Sequence, residues 1–168
     1  MAPERYEGSQ FPEGEAAQDQ FFRQMTPNTT TFDMAKSAAA VSAVLAEVKE
    51  RTGNKPIFIT HSQGGAVGWD VDVENISAII AIEPGGAPEV DSEQYNRLLE
   101  AKIPIIFYFG DYMENGPEDI MSSGFWSGIK AGSFAFAEAY NAAGGDATVI
   151  DLPAIGITGN MRCRVSNL

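Results

Sequence analysis

The amino-acid sequence predicts an α/β fold, with one parallel sheet of about four strands flanked by helices in three layers. Short, nearly continuous apolar runs alternate along the chain with longer amphipathic segments. This alternation is typical of βαβ units and a parallel sheet. The 168 residues, of which 44% are hydrophobic and 20% charged, also suit one domain with a sizeable core.

The first part of the chain combines an irregular arm with a helix. Residues 1–30 are rich in Gln, Glu, Gly and Pro, and we interpret them as an N-terminal arm with one short helix around residues 16–25. Asp33 is a candidate N-cap for a second helix that runs to Arg51. Its predicted apolar stripe, at helical spacing, consists of Val41, Val44, Leu45 and Val48.

Four apolar runs further along the chain are the predicted strands. Each is short and rich in β-branched or aromatic residues, which favour a buried strand: residues 56–60, 76–82, 104–109 and 147–152. Helices are predicted between them, at residues 66–71, at residues 91–101 with Asp91 as the cap, and in a long segment that ends near Ala142. The stripe of this long helix consists of Phe125, Ile129, Phe136 and Tyr140.

The turn after the first predicted strand carries the strongest chemical signal. It reads Thr60-His61-Ser62-Gln63-Gly64-Gly65 and leads from a strand into a helix. This is the context of a nucleophile elbow, a tight turn that presents a serine hydroxyl above the sheet. The alternative is a serine that caps a helix in any doubly wound fold.

Four segments of the sequence, in order, resemble one esterase group of the α/β-hydrolase superfamily. They are residues 56–68 (PIFITHSQGGAVG), 81–86 (AIEPGG), 108–112 (YFGDY) and 152–160 (LPAIGITGN). The group comprises secreted bacterial and fungal esterases with a Ser-Glu-His triad. Residues 7–11 also look like the segment that precedes the family's elbow strand. The resemblance implies that residues 31–168 form a partial α/β-hydrolase domain.

The resemblance implies a role for three residues. Ser62 would be the nucleophile, Glu83 the acid that orients a histidine, and Gln63 the donor of one oxyanion-hole N–H. Asp111 is the alternative acid, because most α/β-hydrolases carry theirs after that strand. Both carboxylates follow predicted strands, whose carboxyl ends face the ligand crevice of an α/β sheet. Without a triad, either would be a solvated loop residue or a helix cap.

The sequence supplies no histidine where the resembled triad needs one. His61 is the single histidine, and it directly precedes Ser62. Consecutive side chains at the end of a strand point to opposite faces, so we do not expect His61 to act as the base. The family's base follows the pair that corresponds to Gly159-Asn160, where residues 161–168 contain no histidine. Upstream, residues 1–55 hold no counterpart of the family's earlier strands.

The sequence therefore predicts the truncated C-terminal portion of a serine esterase, inactive as this chain. Its reaction would be carboxylic ester hydrolysis through an acyl-Ser62 intermediate. The alternative is a non-catalytic pseudo-hydrolase that binds a small apolar ligand. Its crevice would lie near Trp69, Phe109 and Trp126.

Composition excludes several other classes of function. A net charge of −12 and a pI near 4.3 argue against nucleic acid and against anionic membrane surfaces. One cysteine, Cys163, excludes an internal disulfide and a cysteine-based zinc site, and Asp70, Asp72 and Glu74 lack EF-hand spacing. Neither Gly64-Gly65 nor Gly85-Gly86 fits a dinucleotide or P-loop fingerprint. We therefore expect no cofactor and no metal.

The apolar strands and the N-terminal residues indicate the partners and the compartment. We expect a small ester substrate or apolar ligand, and self-association through an open apolar sheet edge. Residues 1–7 are polar and lack the apolar core of a signal peptide. Taken literally, the chain is cytoplasmic, whereas the resembled family is often secreted, so the compartment stays open.

Overall fold

A computed structural model describes residues 12, 14–24, 32–111 and 123–158. Its single sheet contains four parallel strands in the order β1-β2-β3-β4. The strands are β1 (Ile57–His61), β2 (Ala78–Ile82), β3 (Ile105–Phe109) and β4 (Ala147–Asp151). The predicted α/β class, with a parallel sheet flanked by helices, is confirmed.

In the described part of the chain, five helices precede or connect the strands. They are α1 (Glu15–Gln24), α2 (Met34–Thr52), α3 (Gln63–Gly68), α4 (Glu93–Glu100) and α5 (Ser123–Ala142). Short 3-10 turns lie at Val73–Asn75 and Pro153–Ile155. No described helix combines the length and the apolar character that crossing a membrane requires.

The caps of α2 follow the prediction, whereas the cap of α4 does not. Asp33 accepts a hydrogen bond from the backbone N–H of Lys36 at 3.0 Å, and this bond is the main reason that the pKa of the Asp33 carboxyl is lowered. At α4 the predicted cap, Asp91, is wrong. Ser92 caps the helix and accepts from the backbone N–H of Tyr95 at 3.2 Å, because Asp91 has a left-handed φ of 65°.

One face of the sheet is buried beneath helices. Right-handed crossovers between neighbouring parallel strands place all the connecting helices on the same side. The strand side chains on that side alternate in register and form one core with residues of α2, α4 and α5. Aromatic rings dominate it: the ring of Phe107 lies 5.6 Å from that of Trp69 and 5.7 Å from that of Phe136.

Tyr140 closes this core at the amino-terminal end of β3. Its hydroxyl donates to the carbonyl oxygens of Leu98 at 2.7 Å and Ile103 at 3.0 Å. The side chain is fully buried, and burial raises the pKa of its phenol to about 12. The tyrosine therefore connects the end of α4 to the residues that lead into β3 through two backbone acceptors.

The opposite face of the sheet is far less covered. None of the alternate strand side chains on this face is buried, and Ile57 and Ile59 of β1 are 59% and 60% exposed. Among the described residues, no helix buries this face, and α1 contributes no buried residue. On this face, the residues that the structure describes therefore contribute no helix to a third layer.

Two predicted helix stripes are also wrong in part. On α2, Leu45 is buried but Val44 and Val48 are exposed. On α5, Phe136 and Tyr140 are buried, whereas Phe125 is exposed. The exposed members turn away from the one core that the described elements share.

Candidate active site

Ser62 occupies a strained turn between β1 and α3. Its backbone has φ 54° and ψ −124°, a conformation that costs a non-glycine residue about 1–3 kcal/mol. Its N–H donates to Ile82 O at 3.2 Å, and its carbonyl accepts from the N–H groups of Gly65 and Gly85. The Ser62 side chain makes no capping hydrogen bond to α3. Ser62 thus lies in a tight turn that joins a strand directly to a helix.

Gly65 lets α3 approach the end of β2 closely. A Cβ at this position would lie 2.5 Å from Pro84 Cβ and 2.7 Å from Pro84 Cα. Real side chains do not reach such distances, so only glycine fits unless the backbone shifts. By contrast, a Cβ at Gly64 would meet nothing within 4 Å. Packing against Pro84 therefore requires glycine at position 65, whereas packing does not require it at position 64.

Glu83 lies at the end of β2 in a second strained turn. It has φ 41° and is 7% exposed. Its backbone N–H donates to Tyr108 O at 2.8 Å, and its Oε1 accepts from the backbone N–H of Gly110 at 2.9 Å. The backbone of the next strand thus fixes the position of this buried carboxylate.

The other predicted acid, Asp111, lies directly after β3 and is half-buried. Strand order places it two strands from Ser62, whereas Glu83 is one strand away. Neighbouring strands are about 5 Å apart. The fold therefore brings Glu83 closer to the Ser62 turn than Asp111.

His61 and Gln63 flank Ser62 on its two sides. Thr60 packs toward α3, where its Cγ2 would lie 3.0 Å from a Cβ at Gly68. Because side chains alternate along a strand, His61 belongs to the opposite, less covered face, and it is exposed. Gln63 is the first residue of α3 and is exposed as well.

The apolar crevice expected near Trp69, Phe109 and Trp126 is not present as predicted. Trp69 and Phe109 are 4% and 0% exposed and belong to the core, and the indole N–H of Trp69 donates to Gly86 O. A cavity of about 350 Å³ lies elsewhere, along the outer edge of β1 beside the Ser62 turn. Its lining is Phe32, Ser37, Val41, Phe58, Ile59, Thr60, His61, Gln63, Gly64 and Val67.

A partly buried ion pair at the end of β4 was not predicted from the sequence. Lys130 of α5 is 7% exposed, and its Nζ lies 2.8 Å from Asp151 Oδ2. Two signals could have revealed it: Asp151 lies one residue before the end of the predicted fourth strand, and Lys130 interrupts an apolar helix. The pair fixes α5 against the carboxyl end of the sheet.

Several predicted features lie outside the described residues. These are residues 7–11, Tyr112, Gly159-Asn160 and Cys163. Within the described part, no group of three or more His, Cys, Asp or Glu side chains could hold a metal ion.

Comparisons with known proteins find a likeness among the solved structures. No protein-family model matches the sequence, and no curated protein matches it either. Among solved structures, a bacterial esterase is similar with 28% sequence identity and a TM-score of 0.73. The match covers 94% of this chain and 46% of the esterase chain. The chain thus has an esterase-like α/β fold and spans about half the length of that esterase.

Proposed function

We propose that the chain carries the nucleophile and the acid of a serine carboxylic-ester hydrolase. The observation that supports this most is the strained backbone of Ser62 between β1 and α3. Strain of this kind persists where the surrounding structure enforces it, and it concentrates at active sites. The likeness to a bacterial esterase agrees with this proposal.

Glu83 is the acid in this proposal. It is nearly buried, its Oε1 accepts a backbone hydrogen bond from Gly110, and its turn is strained like that of Ser62. A fixed carboxylate of this kind can hold an imidazole in the correct tautomer and stabilise its charged form. Asp111 is less suited because it lies one strand further from Ser62.

The reaction would be attack of the Ser62 hydroxyl on an ester carbonyl. A base takes the hydroxyl proton, the Oγ–carbonyl bond forms, and the alcohol leaves with a proton to give an acyl-Ser62 ester. Water then releases the carboxylic acid. The backbone N–H of Gln63 would stabilise the oxyanion. The base would come from a separate polypeptide segment, because His61, the single histidine of these 168 residues, directly precedes Ser62, and consecutive side chains at the end of a strand diverge.

Chemical rescue with imidazole tests this proposal. The purified chain should hydrolyse p-nitrophenyl butyrate no faster than its Ser62→Ala variant, because it lacks a base. Added imidazole should then raise turnover by the unmodified chain about tenfold over Ser62→Ala, part of the ~10²–10⁴-fold that a general base contributes. Subtracting the rate of Ser62→Ala removes direct hydrolysis by imidazole itself.

Glu83→Gln and Asp111→Asn serve as matched variants in the same assay. The rescued rate should fall in Glu83→Gln and persist in Asp111→Asn. A reversed result would assign the acid to Asp111. Equal rates in the unmodified chain and in Ser62→Ala at every imidazole concentration would refute Ser62 as the nucleophile.

A non-catalytic binding module is the second candidate function. The observation that favours it is the apolar cavity beside the Ser62 turn, which His61 lines together with apolar residues of β1 and α2. In that case, butyl butyrate should raise the melting temperature of the chain without any rescued turnover. Rescue of turnover by imidazole would exclude this candidate.

A further inference from the structure

Trp69 is buried and fixed at the end of α3. It directly follows this helix and is 4% exposed. Its ring lies 5.6 Å from that of Phe107 and 6.5 Å from that of Phe136. Its carbonyl oxygen accepts a hydrogen bond from Nη2 of Arg97, in α4, at 2.9 Å. The ring and the backbone of Trp69 are therefore both held in place, so its indole N–H is a donor of fixed position.

This donor is directed at residues 83–86, the turn after β2, which we call the acid turn because it carries Glu83. The indole Nε1 lies 2.8 Å from Gly86 O. Trp69 has helical backbone angles, φ −73° and ψ −17°, and side chains on a helix lean toward its amino terminus. The indole therefore reaches back along α3, toward the Ser62 end of that helix.

The acid turn takes part in three further hydrogen bonds, all from backbone donors. They are Glu83 N–H to Tyr108 O at 2.8 Å, Gly85 N–H to Ser62 O at 2.7 Å and Gly110 N–H to Glu83 Oε1 at 2.9 Å. Backbone donors are present whatever the side chain. Of these four bonds, the one from Trp69 uses a side-chain donor, so a substitution can remove it and leave the other three donors intact.

The two ends of α3 contact consecutive residues of the acid turn. Ser62, which precedes α3, accepts from Gly85 N–H, and Trp69, which follows α3, donates to Gly86 O. One hydrogen bond alone leaves rotation about that contact, whereas a second bond to the next residue removes it. The bond from Trp69 therefore fixes the orientation of the acid turn relative to the helix that begins at Ser62.

The backbone of the acid turn requires such fixation. Glu83 has a φ of 41°, a conformation that is unfavourable for a residue other than glycine. Conformations of this kind persist where the surrounding contacts enforce them. Without the bond at Gly86, the turn could relax, and the Glu83 carboxylate would move with it.

We propose that Trp69 is a positioning residue of the proposed hydrolase. Its indole N–H holds Gly86, and through Gly86 it keeps the Glu83 carboxylate in the position from which this acid orients the base. Trp69 acts on the reaction through Glu83 and not by contact with the ester. The catalytic part of this inference rests on the proposed function, whereas the position of the acid turn is measurable without turnover.

Amide hydrogen exchange of the purified 168-residue chain, followed by NMR, tests the position of the acid turn. Trp69→Phe keeps an aromatic ring and removes the N–H. The amides of Gly85 and Gly110 should then exchange about tenfold faster than in the unmodified chain. The amide of Ile79, which donates to Pro104 O near the other end of β2, should exchange as before. Unchanged exchange at Gly85 and Gly110, or an equal increase at all three amides, would overturn the proposal.

Imidazole-rescued turnover of p-nitrophenyl butyrate tests the catalytic consequence. Trp69→Phe should lower the rescued rate to that of Glu83→Gln, and the double variant should be no slower than either, because both changes act on one carboxylate. Losses that multiply in the double variant would show an effect independent of Glu83 and contradict the proposal. Tyr140→Phe is the matched control, since it also removes a buried donor from an aromatic side chain, and it should keep the rescued rate.

An isosteric replacement separates the hydrogen bond from the packing of the ring. Benzothienylalanine at position 69 keeps the shape of tryptophan and has sulfur in place of the N–H, so it should reproduce both effects of Trp69→Phe. If it behaves like the unmodified chain, packing holds the turn and the proposal is wrong. Absence of rescue in the unmodified chain would refute the proposed function, whereas rescue that Trp69→Phe leaves unchanged would refute the role of Trp69 alone.

Discussion

The two faces of the sheet differ sharply although the same four strands build both. On the helix-covered face, Ile105, Phe107 and Phe109 are 1%, 0% and 0% exposed. On the other face, Ile57, Ile59 and Ile82 are 59%, 60% and 39% exposed. Both sets are apolar, so composition does not explain the difference. The covered face has helices joined to it by short right-handed connections, and the other face receives none from the described chain.

This comparison separates what stabilises the chain from what remains available for contact. Hydrophobic stabilisation follows the apolar area that is removed from water. By that measure, the covered face carries the stability, and the other face is an apolar surface that further polypeptide can cover. Ser62 and Glu83 lie directly after β1 and β2, at the edge of the sheet formed by the carboxyl ends of its strands.

The largest effect should come from truncating isoleucine on each face. Ile105→Ala removes a side chain that is 1% exposed and should lower the free energy of unfolding by about 2–5 kcal/mol. Ile59→Ala, at 60% exposure, should cost less than about 1 kcal/mol. Urea denaturation followed by circular dichroism measures both. Equal losses would show that the face of Ile59 is covered in solution.

A methyl group beside Ser62 should have the next largest effect. Gly65→Ala places a Cβ within 2.7 Å of both Cα and Cβ of Pro84, and the rigid ring cannot yield. We expect a loss of up to about 3 kcal/mol. Gly64→Ala, where nothing lies within 4 Å, should be neutral or slightly stabilising. A tolerated Gly65→Ala would mean that α3 lies further from β2 than described.

Alkaline pH should weaken the covered face through Tyr140. Its pKa of about 12 in the folded chain exceeds the ordinary value of 10, so its contribution is complete below pH 10 and is lost as the pH rises toward 12. At about 1.4 kcal/mol per pKa unit, the loss is on the order of 2 kcal/mol. Tyr140→Phe should be less stable at neutral pH and show a smaller additional loss between pH 10 and 12. Parallel unfolding curves of the two proteins over that range would contradict this account.

The smallest effect on the free energy of unfolding, a stabilisation, should come from Ser62 in the turn after β1. Ser62→Gly relieves a positive φ and should raise the free energy of unfolding by about 1 kcal/mol. Ser62→Ala keeps the Cβ and should leave stability unchanged. Thermal unfolding of both variants measures the difference. If both stabilise equally, the cost lies in the hydroxyl and not in the backbone.

Much of the fold could be predicted from the sequence because local patterns determine it. The β-branched and aromatic runs locate β3 and β4 to within a residue, and Asp33 marks the start of α2. The predicted second strand starts too early because a 3-10 turn, Val73–Asn75, precedes β2 and Ile76 is buried without belonging to a strand. The apolar character of Ile76 correctly indicates that it is buried, but it does not indicate whether its backbone belongs to the strand, because the preceding turn delays the start of β2.

The faces and the site contacts could not be predicted in the same way. Helical periodicity places Val44 and Val48 on one apolar stripe of α2. Burial of that stripe also requires another element to pack against it, and the position of that element depends on the whole fold. Trp69 and Phe109 were expected to line a crevice, but both are buried in the core. The sheet register places Phe109 there, and Trp69, which follows α3, packs on Phe107. The hydrogen bond from Gly110 to Glu83 joins residues 27 positions apart, so no local pattern reveals it.

The carbonyl of Ser62 joins two turns that belong to different strands. It accepts one hydrogen bond from Gly65 in its own helix at 2.9 Å and another from Gly85 in the turn after β2 at 2.7 Å. A single oxygen thus couples the backbone that carries the serine to the backbone that carries Glu83. The two turns must move together, so a lengthened loop after β2 would displace the serine as well as the carboxylate. Evolutionary insertions in this chain are therefore expected elsewhere, where no shared acceptor links one loop to the other.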